Sequence, residues 1–205
     1  MKNTHATVKL LCLLALLCQH AAAQGGASRA KHFSDKGLSF DYTTDLTLDD
    51  QSREAGQVLV LKQEAKSAQI IIFSRFDAIN SQEEFEAARR VVAGQYTDSM
   101  FEEMKKQTQV ERTDVQIEIA GVQAKGAQLR ATLNGVPGKV EVYWLLLGKR
   151  LVVVTLMGPD KEVAALADAW ALVRSSLRVL PAAAFKRDAP AVVAPLARDD
   201  ARFAR

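Results

Sequence analysis

The sequence predicts an α+β domain folded as a three-layer α/β/α sandwich around a central, mostly antiparallel sheet of about six or seven strands. A helix or a kinked helix pair is expected on one face of this sheet, and the C-terminal helix on the other. The prediction depends on a hairpin that is apolar on both faces, on further short strand patterns, and on two amphipathic helical segments.

The central hairpin is predicted over residues 140–157, VEVYWLLLGKRLVVVTLM. Gly148-Lys149 separates its two apolar runs, and glycine in the first position of a two-residue loop indicates a type II′ turn. The outgoing run from Leu151 to Met157 does not alternate, although a strand with one solvated face would be polar at every second position. We therefore expect this hairpin in the middle of the sheet, with both faces covered.

Further strands are expected on both sides of the first helix. Leu38, Phe40 and Tyr42 alternate with polar residues, which is typical of a half-buried strand. The polar stretch 43–51 is predicted to be a loop, as is the Asn-Gly-Val-Pro-Gly stretch 134–138. The expected order of elements is β-β-β-α-β-β-β-β-α. The remaining predicted strands cover residues 57–63, 68–76, 115–119 and 127–133.

The first predicted helix begins at a capping box and has an irregularity in its middle. Ser81 can accept a hydrogen bond from the Glu84 N–H, while the Glu84 carboxylate reaches back to the Ser81 N–H. Gly94 and a second possible cap at Ser99 predict a kink or break between these two residues. The last helix is expected to start with Asp160 as its N-cap. The apolar stripes comprise Phe85, Ala88, Val92, Tyr96, Met100 and Met104 in the first helix, and Val163, Leu166, Trp170, Val173 and Leu177 in the last.

Residues 1–23 have the pattern of a signal peptide that is cleaved near Ala23. An apolar run of about nine residues, Leu10 to Cys18, is too short to span a bilayer, which takes about 20 residues, so no transmembrane segment is expected. Lipid modification of Cys18 is an alternative, but Leu17 stands where a lipoprotein needs a small residue. The mature protein is therefore expected in the periplasm or outside the cell.

After the signal we predict a flexible leader (24–32), one α/β/α domain (33–180) and a disordered tail rich in Ala, Pro and Arg (181–205). Residues 24–180 carry 20 Lys+Arg against 21 Asp+Glu, a near-neutral balance without the basic footprint of a nucleic-acid-binding protein. The tail could contact an anionic surface, but interspersed aspartates favour an inert, solvated tail. Its candidate residues are Arg187, Arg198, Arg202 and Arg205.

Few reactive side chains remain once the signal is removed. Cys12 and Cys18 both lie in the signal, so the mature chain has no thiol for a disulfide, a nucleophile or a metal ligand. His32 is then the sole histidine. It could be a general base or metal ligand, but no serine or carboxylate motif is spaced to work with it, which favours a solvated side chain. The motifs of serine hydrolases, zinc proteases and nucleotide-binding loops do not occur.

Two groups of acids are candidate sites. Asp45, Asp49 and Asp50 offer the oxygen ligands that Ca²⁺ prefers, but their spacing is not that of an EF-hand, and a solvated acidic loop is the simpler interpretation. Glu118 and Glu141 could form a catalytic carboxylate pair. Cross-strand pairing with Arg130 or Lys139 explains these two acids more simply.

Basic and aromatic residues give two more candidates. Arg89-Arg90 and Lys105-Lys106 could bind phosphates, although helix-surface ion pairs with the neighbouring glutamates are the stronger interpretation. Trp144 and Trp170 are large enough to anchor a ligand, but both fall on core stripes and are expected to be packed.

The two ends of the domain resemble a known family. Gly37-Leu38-Ser39-Phe40-Asp41-Tyr42 is similar to its opening strand, and residues 143–154 leading to Ser175-Ser176-Leu177 are similar to its closing hairpin and helix. The resemblance is to the PsbP-like α/β/α sandwich of the extrinsic photosystem II subunit, the yeast Ran-binding import factor and periplasmic DcrB-like proteins. Residues Thr43 to Leu46 lack that family's Pro-x-x-Trp. The resemblance implies the fold and a preference for binding over catalysis, with no catalytic residue to carry over.

The sequence therefore favours an exported, non-catalytic accessory or binding protein of the bacterial cell envelope, a monomer or weak dimer, whose partner is another envelope protein. No cofactor, metal, nucleic acid or catalytic residue is expected. One alternative is a small-ligand or ion carrier with a site between the sheet and the first helix near Gly94, Met100 and Met104, because methionine adapts to a guest. Another is an enzyme of an undescribed type that uses carboxylates alone.

Overall fold

The computed structural model describes residues 30–180. The predicted signal peptide, most of the leader and the tail lie outside the described residues. The strands are β1 (Ala30–Asp35), β2 (Leu38–Thr43), β3 (Thr47–Asp50), β4 (Gly56–Lys62), β5 (Gln69–Arg75), β6 (Val110–Ile119), β7 (Val122–Leu133), β8 (Val136–Leu147), β9 (Arg150–Pro159) and β10 (Arg178–Val179). The helices are α1 (Gln82–Arg89), a π-helical turn (Arg90–Gly94), α2 (Gln95–Lys105), α3 (Asp160–Ala165) and α4 (Ala167–Ser176).

The main sheet has seven antiparallel strands in the order β3-β4-β5-β9-β8-β7-β6. The β8–β9 hairpin lies at its centre, as predicted. Gly148 has φ +59° and Lys149 is not among the positive-φ residues, which matches the predicted type II′ turn. On β9, Val152, Val153 and Val154 are 0%, 4% and 1% exposed. Both faces of the central strand are therefore covered, and the predicted α+β sandwich is confirmed.

The first helical segment covers one face of the sheet without a break. α1 and α2 are joined by the π-helical turn, and Gly94 keeps helical angles (φ −65°, ψ −58°). Of the predicted kink or break between Gly94 and Ser99, the break is wrong, since Ser99 lies inside α2. The irregularity lies earlier, in the π-helical turn Arg90–Gly94, where the helix accommodates one extra residue. The core on this face includes Ile79, Ala88, Ala93, Leu129, Val140, Val142, Leu151 and Val153.

The opposite face is covered by more than the predicted C-terminal helix. A second sheet of three strands, in the order β1-β2-β10, packs there beside α3 and α4. Leu38 and Phe40 of β2 are fully buried against the main sheet. The predicted opening strand therefore belongs to this small sheet and not to the central one. Hydrophobic alternation shows that such a strand has one buried face, but it does not show which sheet the strand joins.

Three local predictions need correction. β1 begins at Ala30, inside the predicted leader, because its backbone pairs with β2 and Phe33 stacks on Phe40 at 5.1 Å between ring centroids. β3 occupies part of the predicted loop 43–51, since an edge strand needs only backbone pairing with β4. In the predicted loop 134–138, only Asn134 and Gly135 form the turn, with φ +51° and +79°.

Both predicted helix starts are close to those observed. Ser81 caps α1, and its Oγ accepts from the Glu84 N–H at 3.1 Å as predicted. The Glu84 carboxylate accepts from the Asn80 N–H at 2.7 Å, one residue earlier than the capping box requires. Pro159 takes the N-cap position expected for Asp160, which becomes the first helical residue. Among residues 30–180, no helix is long and apolar enough to cross a bilayer.

Candidate binding groove

A groove opens on the helix-covered face of the main sheet, beside α1. The helical segment runs obliquely: α1 contacts β9, the π-helical turn contacts β8, and α2 reaches β7 and β6. This path leaves one corner of the sheet uncovered, near the β6–β7 turn. The exposed residues of that corner are Gln116, Glu118, Gln123 and Lys125. Two neighbouring strands thus present a polar surface next to a helix wall.

The groove encloses about 430 Å³. Its floor is Trp144 and Leu146 of β8, and one wall is the α1 face that carries Phe85 and Arg89. These two helix residues are four positions apart, so they lie on the same side of the helix. The other wall comes from β7. The remaining lining residues are Gln82, Glu86, Val122, Gln123, Lys125 and Leu145.

Strand register explains why Lys125 lies beside the indole. Lys125 of β7 pairs directly with Trp144 of β8. Residues opposite each other in an antiparallel pair share one face of the sheet. Lys125 is exposed and Trp144 is half-buried, so a charged group stands at the rim next to an aromatic floor.

Arg89 is held between a carboxylate and the indole ring. Its Nη2 lies 2.8 Å from Glu86 Oε2, and its guanidinium carbon lies 5.5 Å from the centroid of the Trp144 ring. The ion pair and the cation–π contact fix the guanidinium at the groove. With Lys125, the lining has two cations and one carboxylate. An occupant with an apolar group beside a negative charge matches these side chains.

The structure does not bring Glu118 and Glu141 together. In the strand register, Glu118 pairs with Gln123 and Glu141 with Gln128. Successive residues of a strand point to opposite faces, and the continuous register places Glu118 on the face with α1 and Glu141 on the face with α4. A shared catalytic carboxylate pair is therefore excluded for these two acids.

Glu141 is 7% exposed and belongs to a hydrogen-bonded cluster beneath α4. Its Oε1 accepts from Lys139 Nζ at 2.7 Å and from Gln128 Nε2 at 2.8 Å, and its Oε2 accepts from the Tyr143 hydroxyl at 3.2 Å. Burial, followed by the Glu141 carboxylate, raises the pKa of Tyr143 well above its ordinary value. Lys139 and Glu141 are two residues apart on the same strand, so their ion pair is not the predicted cross-strand pair. Predicted partner Arg130 binds Asp160 instead, at 2.6 Å.

His32 has a carboxylate partner that the sequence did not indicate. It pairs with Asp41 across β1 and β2, and its Nδ1 lies 2.7 Å from Asp41 Oδ1. The His32 side chain is 60% exposed. The Ser176 hydroxyl accepts from the Asp41 backbone N–H at 2.8 Å and so contacts the strand, not the imidazole. These contacts join the closing helix to the opening strand, and no Ser–His hydrogen bond forms among them.

The three acids proposed for calcium bind separate neighbours. Asp45 accepts from Gln63 Nε2 at 2.6 Å, and Asp49 accepts from Gln51 Nε2 at 2.9 Å. Asp50 accepts from the Ser52 N–H at 2.9 Å, and hydrogen bonds with Ser52 lower the pKa of its carboxyl. Between residues 30 and 180, no group of three or more histidines or acids is arranged to hold a metal ion.

The remaining candidates are dispersed. Of the first basic pair, Arg89 lines the groove and Arg90 is exposed in the π-helical turn. Lys106 forms an ion pair with Glu103 at 2.7 Å, a helix-surface pair of the kind predicted. Trp170 is 7% exposed and stacks on Tyr143 at 6.0 Å between ring centroids. Of the predicted anchors, Trp144 alone therefore lines the groove.

No protein-family model matches the chain, and no curated protein matches it. Similar solved structures include the solution structure of cyanobacterial PsbP (CyanoP) from Synechocystis sp. PCC 6803, at 13% identity and a TM-score of 0.49, covering 78% of this chain and 97% of that one. A Bacteroides thetaiotaomicron protein has 10% identity and a TM-score of 0.49 over 75% of this chain and 49% of that one. LpqN, involved in cell envelope biogenesis of Mycobacterium tuberculosis, has 17% identity and a TM-score of 0.41, covering 75% and 91%.

Proposed function

We propose that this protein is an exported, non-catalytic accessory protein of the bacterial cell envelope that binds a segment of another envelope protein in the groove beside α1. The observation that supports this most is the combination of an open aromatic floor at Trp144 with two cations, Arg89 and Lys125. Aromatic residues and arginine are enriched where proteins bind one another. The groove offers contact area and charge rather than a converging set of reactive groups.

The proposed occupant is a peptide segment with an apolar side chain next to a carboxylate. The apolar side chain would contact Trp144, Phe85 and Leu146 on the floor and wall. The carboxylate would face Lys125 at the exposed rim, since Arg89 is already paired with Glu86. Such an arrangement uses the apolar area for affinity and the rim charge for selectivity.

Affinity capture from native envelope extract tests this proposal with Lys125→Glu as the main variant. Lys125 is exposed, so reversing its charge changes the rim without altering the core. The matched control is Lys66→Glu, the same change at an exposed turn between β4 and β5, remote from the groove. We expect wild type and Lys66→Glu to retain the same envelope protein and Lys125→Glu to lose it. Equal capture by all three would contradict the proposal.

A small-ligand carrier is a second candidate, because the groove volume of about 430 Å³ lies in the range of ligand pockets. The groove lies at the N-terminal half of the first helical segment. Met100 and Met104, the predicted binding end, pack against the core at the other half. Native mass spectrometry of protein from periplasmic extract distinguishes the candidates: a carrier retains a small molecule that Trp144→Ala loses, whereas a peptide-binding protein appears bare.

A further inference from the structure

The two edges of the main sheet differ in length and protection. At one edge β3 has four residues, two of which are Asp49 and Asp50. At the other edge β6 has ten residues, Val110–Ile119. A short edge strand offers few backbone groups to another chain, whereas a long edge strand presents a row of unpaired ones. β6 is therefore the edge at which another strand can be added.

The β6–β7 turn fixes which backbone groups of β6 point outward. Ala120 and Gly121, with φ +57° and +76°, form a two-residue turn, so Ile119 and Val122 flank it as a hydrogen-bonded pair. Hydrogen-bonded pairs recur at every second residue, which turns the N–H and C=O groups of the alternate residues away from β7. These outward residues are Val110, Arg112, Asp114, Gln116 and Glu118.

One contact within the domain confirms this orientation. Arg174 of α4 donates to the Glu118 carbonyl at 3.4 Å, so that carbonyl does point away from β7. In the part of the chain from residue 30 to 180, the outward groups of Arg112, Asp114 and Gln116 form no hydrogen bond. The free edge thus extends from Val110 to Gln116.

We propose that two copies of this chain associate through antiparallel pairing of β6 with β6, with Thr113 on the two-fold axis. In this register Arg112 of each copy lies opposite Asp114 of the other, so the pairing contains two opposite-charge contacts. Pairs of this kind stabilise adjacent antiparallel strands. The two seven-stranded sheets then form one continuous sheet, and a two-fold axis perpendicular to it keeps the α1–α2 segments of both copies on the same side.

Charge selects this register over its neighbours. Only registers that oppose outward residues with outward residues form a ladder. Moving the axis by one residue toward the C-terminus places Asp114 opposite Asp114, and moving it by one residue toward the N-terminus places Arg112 opposite Arg112. Like charges directly opposite each other destabilise strand pairing. Arg112 also binds Asp98 of α2 at 2.7 Å, and its guanidinium has further donors for the second copy.

Light scattering of the full chain over a concentration series tests the proposal. Wild type is expected to rise from the mass of one chain toward twice that mass as concentration increases. Asp114→Pro should remain monomeric, because the N–H that proline removes points outward and the β6–β7 bonds are kept. Asp114→Asn, which keeps the N–H, is the control that removes the charge alone, and it should dimerise more weakly than wild type.

A charge swap tests the register without proline. Arg112→Asp and Asp114→Arg should each lose the dimer, and the double variant should restore it, with thermal unfolding used to check that each variant is folded. Wild type that stays at the mass of one chain at every concentration overturns the proposal. So does a dimer that persists in Asp114→Pro, or a double variant that fails to restore association.

Discussion

The central strand β9 is buried on both faces, and truncating its neighbouring valines one at a time tests this burial. Val153 contacts the core on the α1 side and Val154 the core on the α4 side, at 4% and 1% exposure. Each valine-to-alanine change removes two carbons, worth about 0.8 kcal/mol per buried CH₂. With the cavity that remains, each variant should lose about 2–3 kcal/mol of unfolding free energy.

Urea unfolding followed by circular dichroism measures both losses. The matched control is Val136→Ala, the same truncation on a strand at a position that is 51% exposed, where we expect a change within about 0.5 kcal/mol. The slope with urea should be unchanged in all three variants. If either Val153→Ala or Val154→Ala costs no more than the control, one face of β9 is solvated and the two-sided sheet is wrong.

Three further predictions concern substitutions at single residues. Because burial and Glu141 raise the pKa of Tyr143, the folded state keeps a proton that the unfolded state loses above about pH 10. Between about pH 9 and 11, roughly the titration range of free tyrosine, the free energy of unfolding of wild type should therefore fall as pH rises. The fall should exceed that of the Tyr143→Phe variant by up to about 1.4 kcal/mol per pH unit, measured by urea unfolding. Gly94→Ala should raise the free energy of unfolding by about 0.5–1 kcal/mol, and the melting temperature with it. The new Cβ has room, since it would come no closer than 3.8 Å to the Arg89 carbonyl oxygen. Gly126→Ala should lower the free energy of unfolding by about 1–3 kcal/mol, and the melting temperature with it, because that Cβ would lie 2.5 Å from the Val142 carbonyl oxygen and 2.6 Å from the Tyr143 ring. A melting temperature unchanged in either glycine variant would contradict the packing described here.

The central hairpin could be predicted from sequence because its signals are local. A glycine that begins a two-residue turn sets the register, and the uninterrupted apolar run from Leu151 indicates two covered faces. β1 and β3 could not be predicted in this way. They are short and polar, and they form because a neighbouring strand offers backbone hydrogen bonds. Each lies next to its partner in the chain, but neither has the hydrophobic alternation that would mark it as a strand.

The groove was predicted only in part. Arg89 and Trp144 were candidates, but each was expected to serve the helix surface or the core. Their proximity depends on the path of the helical segment over the sheet, which sequence periodicity does not give. Lys125 was not a candidate, although a signal for it existed. The Asn134-Gly135 turn pairs Leu133 with Val136, and counting back along both strands pairs Lys125 with Trp144.

In vivo photo-cross-linking tests the proposed groove most directly. A photoreactive residue replaces Gln123, an exposed residue of the groove wall, or Lys66 as the exposed control outside the groove. We predict that the probe at position 123 links the protein to one envelope protein, that Lys125→Glu abolishes this product, and that position 66 gives none. Identical products from both positions, or no product from position 123, would contradict binding at the groove.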